Sequence, residues 1–347
     1  MELLDSSDES LRRAGKALAE GKLVVIPTET VYGLGADAFN PEAVARVFEA
    51  KARPAFDPLI VHIASLADIA RVAADFPPKA KLLAEALWPG PLTLILPKRG
   101  EVPDIVTSGL PSVAVRFPVH PVARRIIEYS GTVIAAPSAN PFGYISPTTA
   151  RHVAETLGDR VDFIVDGGPC AVGVESTVLD MTGRTPSLLR PGGMPLERIR
   201  EIVGEVALPR AHGAAGAADG EATDVEAIAS PGQLKSHYAP RARLYLCDYR
   251  ALPGAMAGFP GRAKGGGNSA AALVLDGARA ETLQATGLFD AVFALSPAGD
   301  MREAASRLFA AMHELDARGF ASIYAERVPE EGLGRAINDR LYRASFK

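Results

Sequence analysis

A lysine and an arginine stand one residue apart, at Lys51 and Arg53, where a predicted helix ends. Lysine supplies a compact point charge and arginine a planar fork of donors, so the pair could act as a phosphate clamp. The alternative is structural, because two cations at a helix C-terminus commonly satisfy its last carbonyls and its dipole. For an isolated Lys/Arg pair this structural outcome is the commoner one.

Small polar residues follow an apolar strand candidate at Ser138 and Asn140, in the run A-A-P-S-A-N. Small side chains let a ligand approach the backbone, and the hydroxyl and amide groups offer hydrogen bonds without bulk. The same residues also favour a Ser or Asx turn. A second polar run, P-T-E-T-V-Y-G-L-G, places Thr30 after another strand candidate, and a tight turn explains its glycines equally well.

Other side chains could hold anions or small polar groups. Arg116 closes the strand candidate V-A-V-R and could bind a carboxylate bidentately, or form a surface ion pair. His62 lies near a strand end, where a lone histidine is by default a satisfied core residue. The runs G-V-E-S-T-V, with Ser176, and L-R-P-G, with Arg190, are weak signals alone.

Common signatures of nucleotide and metal sites are absent from the sequence. It contains no G-x-x-x-x-G-K-[ST], no G-x-G-x-x-G after a strand, no H-E-x-x-H and no C-x-x-C. Cys170 and Cys247 are far apart and form neither a metal signature nor a disulfide framework. A nucleotide enzyme with this sequence must therefore bind phosphates through a site other than these known motifs.

Strand and helix patterns alternate through the first 206 residues, which predicts a mixed α/β fold: a twisted mixed sheet with flanking helices. Asn40 followed by Pro41 predicts a capped helix start. The strand candidates are 23–27, 59–63, 92–96, 113–116, 133–136, 163–166 and 177–180, and the helix candidates are 9–20, 41–50, 79–87, 121–129 and 149–157.

The composition changes after Gly204, where residues 208–229 become rich in alanine and glycine. We predict a catalytic domain over 1–206, a linker over 207–241 that ends in S-P-G-Q-L-K-S-H-Y-A-P, and a smaller C-terminal domain over 242–347. Alternating elements in the last segment predict a doubly wound, Rossmann-like α/β domain. Its strand candidates are 244–247, 271–275, 291–295 and 322–325, and its helix candidates are 302–315 and 335–343.

Length and charge set limits on the function. A chain of 347 residues suggests two domains. The net charge of −4 and the lack of a clear basic face argue against a strong nucleic-acid surface. The N-terminus has no secretory signal, and no apolar run reaches the roughly 20 residues that span a bilayer. We therefore expect a cytoplasmic protein with no membrane contact.

Taken in order, these segments resemble the L-threonylcarbamoyladenylate synthases, which have a YrdC-type catalytic domain. The resemblance covers residues 10–205, and the last third of the chain is similar to the longer, two-domain branch. Gln233 and Ser236 depart from that branch, which usually has a methionine and a basic residue there. The matching runs are P-T-E-T-V-Y-G-L-G, K-A-R-P with D-P-L-I-V-H-I, W-P-G-P-L-T, V-A-V-R, A-P-S-A-N, S-P-T, V-E-S-T-V and L-R-P-G-G.

The resemblance implies that L-threonine, bicarbonate and ATP give L-threonylcarbamoyladenylate and pyrophosphate. The product then feeds threonylcarbamoyladenosine synthesis in tRNAs that read codons beginning with A. Partner proteins transfer the threonylcarbamoyl group to tRNA, so direct tRNA binding is expected to be weak or absent. Magnesium is expected to accompany the triphosphate, with no dedicated protein ligand.

The resemblance also implies roles for individual residues. Arg116 is expected to hold the threonine carboxylate, and Tyr238 could close over the site as a lid. The catalytic assignment is Lys51, Arg53, Ser138 and Asn140. The ATP contacts are Arg53, Asp57, Ser138, Ser146, Ser176, Arg190 and Tyr238. The L-threonine contacts are Thr30, His62, Arg116, Ala136 and Ser176.

Three alternatives differ in what they predict. A double-stranded RNA-binding module would show salt-dependent RNA affinity without ATP turnover. A carbamoyl-adenylate-forming maturation protein would carry zinc-finger segments, for which two cysteines are too few. The C-terminal unit could be an independent enzyme, but it lacks a phosphate-loop signature, which favours a regulatory or lid-anchoring role.

Overall fold

Two separate sheets organise the protein, whose structure here is a computed structural model that describes residues 1–208, 237–252 and 269–346. The first is a mixed sheet of ten strands, and the second is a parallel sheet of four strands. This confirms the predicted class, a mixed α/β unit followed by a smaller doubly wound unit. Most of the predicted linker, residues 209–236, lies outside the described residues, and the domain boundaries at 206 and 241 stay predictions.

Residues 1–208 carry ten strands and eight helices. The strands are β1 (Glu2–Leu4), β2 (Val24–Ile26), β3 (Gly33–Asp37), β4 (Ile60–His62), β5 (Leu92–Pro97), β6 (Ser112–Arg116), β7 (Ile134–Ala135), β8 (Phe163–Val165), β9 (Thr177–Asp180) and β10 (Ser187–Arg190). The helices are α1 (Asp8–Ala19), α2 (Pro41–Lys51), α3 (Ile69–Val72), α4 (Pro78–Leu87), α5 (Asp104–Thr107), α6 (Pro121–Ser130), α7 (Ala150–Thr156) and α8 (Leu196–Val203).

The large sheet has the strand order β1-β8-β2-β3-β7-β4-β6-β5-β9-β10. Its centre mixes directions, since β4 pairs with β7 antiparallel and with β6 parallel. The register sets His62 of β4 opposite Arg116 of β6. Two residues that lie 54 positions apart by number are therefore neighbours at one edge of the sheet.

The start of α2 follows the predicted capping chemistry. The side chain of Asn40 accepts hydrogen bonds from the backbone N–H groups of Glu42 and Ala43, each at 3.1 Å. The helix ends after Lys51, where Ala52 adopts a left-handed conformation with φ 51°. That reversal turns the chain inward, so Arg53 points into the protein.

Strand β3 was not among the strands predicted from the sequence, where a tight turn was one explanation of its glycines. Gly33 and Gly35 instead lie in an extended strand between β2 and β7. A Cβ atom on Gly35 would stand 3.0 Å from the carbonyl oxygen of Val24 and 3.0 Å from a methyl group of Ile134. These glycines therefore permit close packing of neighbouring chain segments rather than a turn.

The second sheet has the order β11-β14-β12-β13, and all of its pairs are parallel. Helix α9 packs on one face with Leu283, and α10 and α11 pack on the other with Leu308 and Leu341. Helices on both faces make the unit doubly wound. The elements are β11 (Arg243–Cys247), β12 (Ala270–Val274), α9 (Gly277–Ala285), β13 (Ala291–Ala294), α10 (Met301–Ala317), β14 (Ser322–Glu326) and α11 (Gly334–Ala344).

The two units share a packed apolar interface. Val31, Ile145 and Val174 from the first unit belong to the same buried cluster as Phe309 of α10. Gly173 has φ 75°, and a Cβ atom there would stand 2.4 Å from the Cα atom of Ser306 on α10. The units are therefore in backbone contact, and the C-terminal unit is positioned directly against the loop 173–176.

The helices are short or amphipathic. Among the described residues, no helix combines the length and the apolar composition that crossing a bilayer requires.

Candidate active site

A largely buried cavity lies where several strands of the large sheet end, and the second unit closes one side of it. Eight residues predicted from the sequence line this cavity: Arg53, His62, Arg116, Ala136, Ser138, Ser176, Arg190 and Tyr238. The other five predicted residues are buried beside it without lining it: Thr30, Lys51, Asp57, Asn140 and Ser146.

Lys51 does not satisfy the last carbonyls of its own helix, which was the structural interpretation. Its ammonium group donates instead to the backbone carbonyls of Ser138 and Asn140. The side chain is buried, and burial together with the nearby Arg53 guanidinium holds the pKa of Lys51 well below its ordinary value. Lys51 therefore ties α2 to the segment 138–140.

Arg53 is held by the chain that follows it. Its Nη2 lies 2.8 Å from a carboxylate oxygen of Asp57 and 3.0 Å from the carbonyl oxygen of Pro58, and its Nε lies 3.2 Å from the carbonyl oxygen of Asp57. The Asp57 side chain is fully buried. Because Asp57 is paired with Arg53 and lies outside the lining, its position suits orienting the guanidinium.

Arg190 and Ser176 form another part of the cavity lining. Arg190 donates through Nε and Nη2 to the carbonyl oxygen of Ser176, at 3.2 and 3.0 Å, and through Nη2 to the Ser176 hydroxyl at 3.2 Å. The Ser176 hydroxyl also lies 2.7 Å from that of Thr93 on β5. This network fixes the end of β10 against the start of β9.

The cavity is electropositive. Four buried arginines lie in or beside its wall, against three buried carboxylates. Burial lowers the pKa of both Arg53 and Arg190, because nothing in the surroundings replaces the lost water fully. An anion that entered would supply the missing countercharge. The arginines are Arg53, Arg116, Arg190 and Arg340, and the carboxylates are Glu29, Asp57 and Glu175.

Arg116 and His62 also line the cavity, and the pairing of β4 with β6 sets them opposite each other. Arg116 Nη2 lies 2.7 Å from a carboxylate oxygen of Glu29, and its Nε has no hydrogen-bond partner among the described residues. His62 Nδ1 lies 3.2 Å from the carbonyl oxygen of Ile60, which can only accept, so Nδ1 donates. Burial and the Arg116 charge lower the pKa of His62 to about 3. The imidazole is therefore neutral at physiological pH, beside one permanent cation.

Thr28 lines the cavity, whereas Thr30 does not. The two hydroxyl oxygens are 2.9 Å apart, and the Thr28 hydroxyl also lies 2.6 Å from the carbonyl oxygen of Val31. Ala136, also in the lining, donates its backbone N–H to the carbonyl oxygen of Ile60 at 3.0 Å. Its N–H is therefore already committed to the sheet.

Asn140 and Ser146 stabilise the wall. The Asn140 amide donates to the carbonyl oxygens of Pro141 and Tyr144, at 3.0 and 2.8 Å. The Ser146 hydroxyl donates to Glu175 at 2.5 Å. Both side chains thus organise the loop 140–146.

His237 and Tyr238, at the end of the predicted linker, close the cavity. Both side chains are buried, and their ring centroids are 4.0 Å apart. Tyr238 has φ 63°, an unusual conformation for a residue other than glycine, and its ring packs against Phe309 of α10 at 5.5 Å. The second unit therefore holds the two residues over the cavity.

Sequence reasoning missed Thr28, Glu175, His237 and Arg340 as site residues. Thr28 and Glu175 stand inside quoted runs, next to or near residues that were selected, and only the backbone path decides which side chains face inward. Arg340 lies in the last helix, and the pattern of that helix contains no signal that it reaches Glu175.

The donor set does not form a metal cage. Within the part of the chain that the structure describes, no cluster of three or more His, Cys, Asp or Glu side chains could hold an ion. Asp57 and Glu175 are paired with arginines. Any divalent ion at this site would have to be held mainly by the ligand that brings it.

Lowering the pH from 7.5 to 5 is expected to decrease the free energy of unfolding, because buried His62 and His313 resist protonation. Burial lowers their pKa values from 6.5 to about 3 and about 4. Between about pH 4 and 6.5 the unfolded chain therefore binds more protons than the native protein, so stability falls as the pH falls. At pH 5 each histidine should account for about 2 kcal/mol.

Urea unfolding at the two pH values would measure this loss. The matched variant is His313→Gln, since glutamine can still donate to the carbonyl oxygen of Ser146, which lies 3.2 Å from His313 Nε2. The variant should lose about 2 kcal/mol less than the wild type between pH 7.5 and 5. Equal losses in both proteins would contradict the assignment to His313.

Family models match both parts of the chain. Residues 16–192 match the Sua5, YciO and YrdC family, whose description is telomere recombination. Residues 194–345 match the family described as the C-terminal domain of threonylcarbamoyl-AMP synthase.

Individual relatives are similar over nearly the whole length. The threonylcarbamoyl-AMP synthase of Pyrococcus abyssi is 42% identical over 342 residues, which cover 96% of this chain and 94% of the relative. The enzyme of the same name from Bacillus subtilis is 40% identical over 345 residues, which cover 99% and 94%. The crystal structure of P. abyssi Sua5 complexed with L-threonine matches with a TM-score of 0.88 at 41% identity, covering 99% of this chain and 98% of that one.

Proposed function

Since the chain belongs to the Sua5/YrdC family of threonylcarbamoyl-AMP synthases, we propose that its electropositive cavity brings ATP and L-threonine together. The chain is a threonylcarbamoyl-AMP synthase, an adenylyl-transferring enzyme that uses ATP as a substrate. The observation that carries the proposal is the cluster of four buried arginines in and beside the wall of one cavity. Two anionic substrates need such a field if they are to meet.

The chemistry is mainly positioning and charge neutralisation. The threonine amine adds to CO₂ derived from bicarbonate and gives a carbamate, with loss of a proton. A carbamate oxygen then attacks the α-phosphorus of ATP, and the bond to the β-phosphate breaks, so pyrophosphate leaves. Both reactants are negatively charged, and cations on each side lower the cost of bringing them within bonding distance.

We place the nucleotide beside Arg53 and Arg190. These guanidinium groups suit phosphate oxygens, and the Ser138 and Ser176 hydroxyls supply hydrogen bonds without bulk. Lys51 and Asn140 lie outside the cavity lining and act by holding the segment 138–140 in place. Asp57 and Ser146 are then supporting residues, because Asp57 forms an ion pair with Arg53 and Ser146 donates a hydrogen bond to Glu175, and both partners line the cavity.

We place L-threonine beside Arg116. The Nε of Arg116 has no hydrogen-bond partner among the described residues and can complete a bidentate contact with the threonine carboxylate. Neutral His62, Thr28 and the backbone around Ala136 surround the same space. Thr30 supports Thr28 through the contact between their hydroxyl groups. The P. abyssi Sua5 structure complexed with L-threonine supports a threonine site in this fold.

Tyr238 and His237 act as a lid in this proposal. Both rings are buried and line the cavity, so a movement of these residues would widen access for substrates. A closed lid would exclude water, which matters because an adenylate hydrolyses easily.

Magnesium enters as part of the substrate, carried by the ATP phosphates. The acidic residues beside the cavity are committed to arginines, so the chain's own residues would contact the ion little. The product is passed to proteins that transfer the threonylcarbamoyl group to tRNA, direct tRNA binding is weak or absent, and the enzyme works in the cytoplasm.

Threonine-dependent release of pyrophosphate is the expected activity. The protein is incubated with ATP, bicarbonate and magnesium, with and without L-threonine, and pyrophosphate is measured. Release should appear only with threonine and should disappear when excess EDTA removes the magnesium. Release that does not depend on threonine, or no release at all, would contradict the proposed function. A chain that bound double-stranded RNA with a steep salt dependence and released no pyrophosphate would instead be the RNA-binding module.

A further inference from the structure

We propose that Arg340, on the last helix of the C-terminal unit, is a positioning residue of the active site. It would act by holding three separate segments of the cavity wall in register. The inference rests on the proposed function, which identifies that cavity as the place of reaction. It gives the C-terminal unit a direct part in the reaction, through one guanidinium group.

The first segment that Arg340 holds contains Glu175. The guanidinium is fully buried, and its Nε lies 2.7 Å from one carboxylate oxygen of Glu175. The other carboxylate oxygen accepts from the Ser146 hydroxyl at 2.5 Å. Arg340 therefore fixes Glu175 from one side while the loop 140–146 fixes it from the other.

The second segment contains Arg190 and Pro191. Arg340 Nη1 donates to the carbonyl oxygen of Pro191 at 3.0 Å. This segment also packs directly on the first, since a Cβ atom on Gly192 would stand 2.3 Å from the carbonyl carbon of Ser176. Gly193 donates its backbone N–H to the carbonyl oxygen of Glu175 at 2.9 Å. Releasing Glu175 and Pro191 would therefore move Ser176 and Arg190 together.

The third segment is the lid. The guanidinium carbon of Arg340 lies 5.2 Å from the ring centroid of Tyr238, within the range of a cation–π contact. Tyr238 keeps an uncommon positive φ, which persists only if surrounding contacts hold it. Arg340 thus contacts the lid and the wall that carries Ser176 at the same time.

A second arginine on the same helix supplies the matched control. Arg335 also pairs across the two units, with Glu197 at 2.5 Å, but both side chains are partly exposed and lie away from the cavity. Exposed pairs of this kind contribute little to stability. Arg335→Gln therefore removes a cross-unit ion pair without touching the wall.

The test compares full-length Arg340→Gln, Arg340→Lys and Arg335→Gln in the threonine-dependent pyrophosphate assay. Each is assayed well below its melting temperature. Arg340→Gln should lower kcat/KM for ATP by about 100-fold, since misplacing reacting groups by about 1 Å has effects of that size. Arg340→Lys keeps the positive charge but not the planar guanidinium group, so its kcat/KM should lie between those of Arg340→Gln and the wild type. Arg335→Gln should stay within about 2-fold of the wild type.

A purely structural role makes different predictions. It is the correct account if folded Arg340→Gln has a lower melting temperature but the kcat and both KM values of the wild type. If Arg340→Gln does not fold, Arg340→Lys decides alone, and full activity in that variant overturns the proposal. A double variant with Glu175→Gln adds a further check, because residues acting through one contact should not lose activity additively.

Failure of the proposed function would be visible separately, as a wild-type protein without threonine-dependent activity. ATP affinity from isothermal titration calorimetry would then be compared between the wild type and Arg340→Gln. Weaker binding in the variant supports the positioning role, and equal binding overturns it.

Discussion

Replacing Arg53 with alanine is expected to lower kcat/KM for ATP by about 100-fold, while KM for L-threonine changes little. Arg53 lines the cavity and presents a guanidinium held by Asp57 and two backbone carbonyls. Such a pre-oriented donor loses little freedom when it binds a phosphate. Steady-state pyrophosphate release at varied ATP and fixed threonine measures the effect.

The Arg53→Ala variant leaves the buried carboxylate of Asp57 without its partner, and this could lower stability by itself. The double variant Arg53→Ala/Asp57→Asn removes that carboxylate charge and should be more stable than Arg53→Ala, but equally slow. Arg46→Ala is the matched control, because Arg46 lies on the outer face of α2 in a partly exposed pair with Asp162. An inactive Arg46→Ala, or an active double variant, would show that charge at the cavity is not what Arg53 contributes.

Replacing Arg116 with glutamine is expected to raise KM for L-threonine by about 100-fold and to change KM for ATP by less than about 3-fold. Loss of a bidentate, charge-assisted contact to a carboxylate explains the size of the effect. The neutral His62 beside it cannot supply the missing charge. Pyrophosphate release at varied threonine and saturating ATP separates the two constants.

Glu29 provides the control for this second prediction, since it pairs with Arg116 at 2.7 Å. Glu29→Gln retains Arg116 and should leave KM for threonine much closer to the wild-type value. Arg116→Gln/Glu29→Gln removes the unpaired carboxylate and should regain stability without regaining threonine affinity. A variant of Arg116 that impaired ATP and left threonine unaffected would reverse our placement of the two substrates.

Local patterns predicted much of the fold. Three features could be predicted: the capped start of α2, the strand at Thr177–Asp180, and the alternation of strands and helices in the C-terminal unit. They are predictable because caps, apolar runs and periodicity act over a few residues. Strand β3 was not predicted, because a glycine in the sequence can serve either a turn or a close approach between strands.

The candidate site divides in a similar way. Lys51, Arg53, Ser138 and Arg116 could be selected from residue type and position at the ends of elements. The choice between Thr28 and Thr30 could not, because both precede a Gly-bearing strand and only the folded backbone decides which one faces the cavity. The contact between Arg340 and Glu175 spans 165 residues, and no local pattern encodes it.

The backbone contact between Gly173 and α10 also bears on how this protein can be taken apart. The surface that meets the C-terminal unit contains Val31, Ile145 and Val174, all buried in the intact chain. Cutting after residue 206 would expose these side chains to water and favour self-association. The C-terminal unit therefore keeps this apolar face of the first unit out of water. A shortened enzyme made from residues 1–206 would first need that face redesigned.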